Sequence, residues 1–354
     1  MKFFNIQQNK YIKLSGLFQI ALLVCMITTS AFAFGDKYAG EFLKIGMGVR
    51  EMSLGGAAVA SPQAVAAVYW NPAFLVENSV LSGQFMHTEE FGGVLNLDYV
   101  SLAFPGHSGY AYGVSYFRLG VDDIPDTRSA LIDDNGNGQL DSGERLDFGK
   151  IGKFGASENA LLLAMARPIN SKLCIGGNFK ILSKSLGSTD AWGFGFNLSA
   201  LYRLLPSLQV GAIVRDVTTT FLYYPDGDNE FILPSVQLGG VYTFAPSAIP
   251  IVFRPSAGLD MIFEGETNQS DLSLGFTSSG FRLGLEIQVK KFILLRAGRD
   301  NLGCMHVGFG LETMLGAIDY GLAMGGSYTE LGQSHRVGIT LHFVELGKSL
   351  KRYL

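Results

Sequence analysis

The 354-residue chain is short of charge, with Asp, Glu, Lys and Arg at 16% against 47% hydrophobic residues. Mean hydropathy is positive, at +0.24, which is oily for a chain bathed by water alone. Yet after residue 33 no run of 18 or more apolar residues occurs, and this excludes transmembrane helices as the home of that hydrophobicity. A Lys/Arg tract is also missing, and with a net charge of −4 there is no footprint for nucleic acid. The chain has no G-x-S-x-G, no H-E-x-x-H and no paired C-x-x-C, and its five His are scattered. Gly347-Lys348-Ser349 lacks the upstream glycine of a phosphate loop. The chain therefore reads as a non-enzyme. Cysteine is scarce: Cys25 lies in a leader, and Cys174 and Cys304 fall toward opposite rims of the architecture inferred below, so no disulfide between them is expected.

Glycine (45 residues) and aromatics (12%) are plentiful, as a tightly curved sheet with aromatic girdles requires. Residues 1–33 read as a signal peptide: Lys2, Lys10 and Lys13, an apolar core from Leu14 to Ile27, and the cleavage site Ala31-Phe32-Ala33. From about 77 to 344 large and small or polar residues alternate with period 2, which places them on opposite sheet faces. Trp192, Phe194, Phe196, Leu198, Ala200 and Tyr202 share one face; Gly193, Gly195, Asn197 and Ser199 take the other. Phe281 to Val289 and Arg336 to Phe343 repeat the pattern.

Segments of this kind start near residues 79, 95, 109, 158, 173, 190, 207, 232, 252, 280, 291, 304, 316 and 335. Tight turns follow the second, fourth, sixth and eighth of them, at Pro105 to Gly109, Pro168 to Lys172, Leu205 to Ser207 and Ala245 to Pro250. Long polar loops follow the third, seventh and ninth, at about 119–157, 217–231 and 264–279. The fold expected is all-β: a transmembrane antiparallel β-barrel of about 14 strands, its short turns periplasmic and its long loops extracellular, in outer-membrane lipid. A soluble sandwich would carry charged outer faces, whereas here the face opposite the large residues is mostly Gly, Ser and Asn. Residues 345–354 read as a tail.

Residues 34–76 do not alternate and read as a small N-terminal plug. They run Phe42-Leu43-Lys44-Ile45-Gly46-Met47-Gly48-Val49-Arg50, then Leu54-Gly55-Gly56-Ala57-Ala58-Val59-Ala60, then Ala67-Val68-Tyr69-Trp70-Asn71-Pro72-Ala73. This order resembles the PorV/PorQ family of outer-membrane proteins, relatives of the FadL-type long-chain fatty-acid transporters. The likeness continues loosely through Val121 to Pro125, Ala156 to Glu158 and Gly176 to Lys180. It implies a plug inside a 14-stranded barrel, with Gly46, Gly48, Arg50, Gly55, Gly56, Trp70, Asn71, Pro72 and Ala73 as its motif. Two positions depart from the family pattern: Ser61-Pro62-Gln63 replaces acidic residues, and Phe74 replaces a glycine. Small residues permit close backbone approach, and Pro72 biases Asn71 toward extended geometry in which its amide can satisfy buried backbone. The motif either fastens the plug or forms a moving gate.

Asp133 to Glu144 match the calcium-loop pattern D-x-[DN]-x-[DN]-G-x5-E. Asp133, Asn135, Asn137, Gln139, Asp141 and Glu144 would be the ligands of a structural calcium in an extracellular loop; no other cofactor is implied. On the inferred inner face Arg254, Asp260, Arg282, Glu286, Arg296, His306, Glu312, Asp319, Arg336 and His342 recur. They form either a polar conduit or a lattice of ion pairs. The resemblance implies, first, a PorV-like component of protein secretion, type IX or related, with exported proteins or secretion subunits as partners. The alternative is a FadL-like transporter of long-chain fatty acids or other hydrophobic small molecules.

Overall fold

The computed structural model describes residues 41–90, 93–134, 136–225, 227, 229–263, 271–274, 277–324 and 333–343. The leader, the first residues of the plug, Asn135 and the tail lie outside the described residues. Fourteen wall strands run in chain order: β1 Ser82–Glu90, β2 Leu95–Pro105, β3 Ala111–Asp126, β4 Gly152–Pro168, β5 Leu173–Leu186 and β6 Thr189–Leu205. β7 is Leu208–Arg215 continued as Thr220–Tyr223, and β8 is Asn229–Ile232 continued as Ser235–Tyr242. β9 Ile251–Ile262, β10 Thr277–Val289, β11 Ile293–Arg299, β12 Met305–Thr313, β13 Gly316–Met324 and β14 Ser334–His342 complete the set. Each pairs antiparallel with its sequence neighbours, and β14 returns to β1 in the register Ser82↔His342, so the sheet closes on itself. Closure matters because lipid offers no partner to an open edge.

The two faces separate by side-chain size. Phe85, Val100, Leu102, Phe194, Phe196, Leu198, Leu283 and Ile339 stand exposed on the outside, while Gln84, Ser101, Ser115, Asn197, Ser199, Thr340 and the glycines point inward. In a barrel whose solvent is hydrocarbon the usual inside and outside are exchanged in this way. Cys174 and Cys304 are both free thiols.

Strands 3 and 4 are longer than alternation suggested. β3 reaches Asp126 and β4 begins at Gly152, so the loop read as 119–157 contracts to about 127–151, with its own small hairpin pairing Leu131–Ile132 with Arg145–Leu146. Likewise 217–231 is partly strand. Above the apolar band the sheet continues on main-chain hydrogen bonds, which need no apolar side chains, so the period-2 signal stops before the strand does.

Inside the barrel lies the chain from Glu41 to Glu77, folded as short helical turns at Glu41–Ile45, Val49–Ser53, Ala67–Trp70 and Pro72–Glu77. The last starts by an ordinary capping rule: Asn71 is extended (φ −164°, ψ 91°), its side-chain oxygen accepts from the Ala73 N–H at 3.1 Å, and Pro72 occupies the first helical position.

Inward glycines let the plug sit against bare wall. A Cβ on Gly298 would fall 2.2 Å from the Leu54 carbonyl carbon, on Gly211 2.4 Å from the Val59 oxygen, and on Gly176 2.5 Å from the Ala73 nitrogen. Gly308, Gly321 and Gly338 meet Ser53 and Val49 in the same manner. The glycine content of the inner face is thus a seat for the plug that runs round most of the barrel.

Candidate functional site

Among the described residues a cavity lies on either side of the plug. The one toward the long loops is a cavity of about 140 Å³ between the plug and strands β4 to β10. Its apolar border comprises Leu43, Tyr69, Trp70, Leu162, Ile232, Leu233 and Leu302. Tyr69 and Trp70 have their polar ends tied down: the Tyr69 hydroxyl donates to the Leu43 carbonyl, and Trp70 Nε1 donates to the Met47 carbonyl at 2.6 Å. Their rings are held as fixed apolar surfaces with the hydrogen-bond cost already met.

The charges on the border are engaged as well. Arg282 Nε donates to Asp260 at 2.6 Å, the buried Lys180 pairs with Asp216, and Arg215 donates to the Tyr69 carbonyl at 3.1 Å while lying 4.4 Å from that ring's centroid. Val236 and Met261, cross-strand partners on the outer face, also border the cavity.

Beside this cavity β7 and β8 are interrupted. Asp216 (φ 54°) and Thr219 (φ 57°) adopt left-handed backbone that non-glycine residues rarely take. Side chains fill the gap in the ladder: Asp216 N–H donates to Asn197 Oδ1 at 2.8 Å, Thr220 donates to the Asp216 carboxylate, and Asn197 in turn donates to Asn178 at 2.8 Å. Asn178 then donates to the plug's Val68 carbonyl at 2.7 Å.

On the other side of the plug is a polar chamber of about 310 Å³, bordered by Arg50, Gln63, Arg254, Glu286, Arg296 and Glu312 among others. Here the plug's Arg50 meets the wall. It grips Glu286 bidentately at 2.7 and 2.9 Å. Glu286 also accepts from Arg296 at 2.9 Å and Arg254 at 3.2 Å, and Arg296 reaches on to Asp319 at 2.6 Å.

All ten residues proposed for the inner face point inward. They do not form one conduit. Arg254, Glu286, Arg296 and Asp319 make the cluster just described, Arg282 and Asp260 make a second, and His306 with Arg336 joins a third built on Asp300 and Glu90. His342 bonds Ser82 at 2.9 Å, and Glu312 meets Gln288 at 3.4 Å. Each is an ion pair or hydrogen bond closing the lumen locally, as charges away from bulk water require.

In the plug motif, Gly46, Gly48, Gly55 and Gly56 all have positive φ, from 63° to 89°. Asn71 is fully buried and donates to the Val59 and Ala200 carbonyls at 2.7 and 3.2 Å. Sequence reasoning passed over Lys180, Asp216, Glu51 and Glu90. Lys180 shares the parity of Asn178, and Glu90 that of Gln84 and Thr88, so strand parity alone would have placed both inside.

The acidic loop folds back on itself. Asp133 accepts from the Gly136 and Gly138 N–H groups at 2.5 and 2.8 Å, Glu144 accepts from Asp134 and Asp141 N–H at 3.0 and 2.9 Å, and Asn137 donates to Asp141 at 2.7 Å. Gln139 donates its N–H to Asn137 at 2.8 Å. Among the described residues no group of three or more His, Cys, Asp or Glu stands at metal-binding spacing.

No family model matches the chain, and no curated protein does either. Solved structures do. The chain is similar to the Ralstonia pickettii toluene transporter TbuX (14% identity, 84% of this chain and 97% of that one, TM-score 0.54). It is also similar to the CymD monoaromatic hydrocarbon channel (15%, 84% and 96%, 0.55) and to a Pseudomonas aeruginosa FadL homologue (12%, 84% and 98%, 0.52). At these identities the likeness establishes the fold, a FadL-like 14-stranded barrel.

Proposed function

We propose that the chain sits in the bacterial outer membrane and admits small hydrophobic molecules, without catalysis. The observation that carries this reading is the cavity of about 140 Å³, close to the ~150 Å³ apolar cavity that accommodates benzene in a soluble protein. Fixed aromatic faces line it, and the charges around it are already partnered. The structural neighbours whose names specify toluene and monoaromatic hydrocarbons support the same reading ahead of secretion. The interrupted β7 and β8, with the outward Val236 and Met261 on the cavity border, give a solute a route that touches the wall as well as the lumen.

The chain has two Trp. Trp70 borders the cavity and Trp192 stands on the outer face, so a Trp192→Phe variant makes Trp70 the reporter. Toluene titrated into that variant in detergent should give a saturable change in emission, and Leu233→Phe should weaken it about tenfold by filling the space. A linear, non-saturating response in both would sink the reading.

The plug sequence favours a second role, in export of proteins. Cells lacking the gene should then lose exported proteins selectively; an unchanged exported proteome with reduced toluene uptake supports the first reading. The acidic loop keeps a structural calcium as a proposal, since carboxylate and amide oxygens are the donors such a cation takes.

A further inference from the structure

The cavity between the plug and β4 to β10 has a polar side that toluene would leave unused. Asp260 on β9 and Arg282 on β10 both border it, and Arg282 Nε donates to Asp260 Oδ2 at 2.6 Å. The other carboxylate oxygen, Oδ1, is buried without a hydrogen-bond partner. Among the described residues bordering the cavity, Asp260 alone has a buried side-chain atom in that condition. A carboxylate oxygen away from water is costly to leave without a donor, so Oδ1 marks a place for one.

The acceptor is fixed in advance. Arg282 is itself anchored, its Nη1 donating to the Gly55 carbonyl at 3.0 Å, and the pair is largely shielded, with side-chain exposures of 12% and 14%. It also stands beside an aromatic face. A Cβ built on Gly56 would fall 2.5 Å from Arg282 Nη1 and 2.9 Å from Trp70 Cη2, so guanidinium and indole converge on one small residue of the plug. A ring packed on Trp70 lies next to the Asp260–Arg282 pair.

The charges on the border select among donors. An ammonium would enter a space where Lys180, Arg215 and Arg282 outnumber Asp216 and Asp260. A carboxylate would set its own charge against Asp260 Oδ1. A neutral hydroxyl meets neither objection: it donates to that oxygen and brings no charge, and a phenolic hydroxyl, with a pKa of about 10, stays protonated at neutral pH.

We propose that the cavity selects hydroxylated aromatics, phenol and its relatives, with Asp260 Oδ1 accepting the hydrogen bond of the hydroxyl while Tyr69 and Trp70 pack the ring. The inference rests on the reading of this cavity as the solute's site and names the chemical class that the site prefers.

Phenol and toluene are nearly isosteric, hydroxyl against methyl, so size does not separate them. Each is titrated in detergent into the chain carrying Trp192→Phe, with Trp70 emission as the signal. A cavity without an acceptor would hold phenol about tenfold or more less tightly than toluene, since the hydroxyl loses its water without replacement. Phenol should instead bind at least as tightly as toluene. The ratio of the two affinities should then fall about tenfold or more, the worth of a hydrogen bond to a charged group, when Asp260→Leu/Arg282→Met is added, a change that removes the pair and leaves no bare charge. Phenol binding more weakly than saturating toluene would overturn the inference and leave the hydrocarbon site standing. An unchanged ratio in the double variant, shown to be folded by heat-modifiable gel mobility, would do the same; if that variant does not fold, the comparison in the reporter chain decides. Benzoate binding more tightly than phenol would assign the polar side to Arg215 and overturn it as well. Saturation by neither phenol nor toluene would remove the solute site and the inference together.

Discussion

At the scale of single residues, the inner wall makes a sharp prediction about glycine. A flexible side chain can step aside, but a Cβ built on Gly298 would fall on the backbone of Leu54 and Gly55, and main chain fixed on two sides cannot. Gly298→Val should expose the plug to limited proteolysis and lower the free energy of unfolding by about 1–3 kcal/mol or more. Substituting the neighbouring outward Leu295, 45% exposed, with Val should do neither. Asn71 belongs at the same scale. Asn71→Ala removes the donor to the Val59 and Ala200 carbonyls, while the Ala73 N–H keeps Ser199 Oγ at 2.9 Å; the loss should be about 1–3 kcal/mol, measurable by chemical denaturation.

At the scale of elements, strands and loops differ in what their sequences encode. Wall strands follow their side-chain period, and the tight turns after β2, β4, β6 and β8 stand where Pro and Gly cluster. The acidic loop is the instructive contrast: Asp133 and Glu144 serve as acceptors for the loop's own N–H groups, an arrangement a cation would have to replace. If calcium binds, millimolar calcium should slow proteolysis between Ile132 and Arg145, and Glu144→Gln should abolish the protection. Equal cleavage rates with calcium and with chelator would assign the loop to hydrogen bonding alone.

At the scale of the whole molecule, the exposed outer band predicts how the barrel answers to charge. Phe196, 43% exposed among Phe194, Leu198 and Ile181, lies within the apolar band. Phe196→Arg should destabilise the barrel in bilayers by about 2–4 kcal/mol if it lies at the midplane and less near either interface. Folding in lipid vesicles across a urea series measures this. An unchanged midpoint would mean the face does not meet hydrocarbon. On the same outer side, Ala200, Ala212, Gly240 and Ala257 leave a shallow apolar groove where the wall is backed by Val59 of the plug.

The sequence by itself determined the strands, their two faces, the closed barrel and the presence of a non-alternating insert, because each follows from a local period or from hydrocarbon's refusal of open edges. Strand period also put ten polar and charged residues, from Arg254 to His342, on one face of their strands. Tertiary structure alone decided which of them meet. Arg50 and Glu286 are separated by 236 positions, and their contact depends on barrel register and on a plug seated round the glycine face, neither of which a period reveals. The aromatic-lined cavity and the break at Asp216 arise for the same reason: they are gaps between elements, set by how far strands and plug can approach one another. A sequence specifies what each segment presents, and the closing of the barrel decides what it faces.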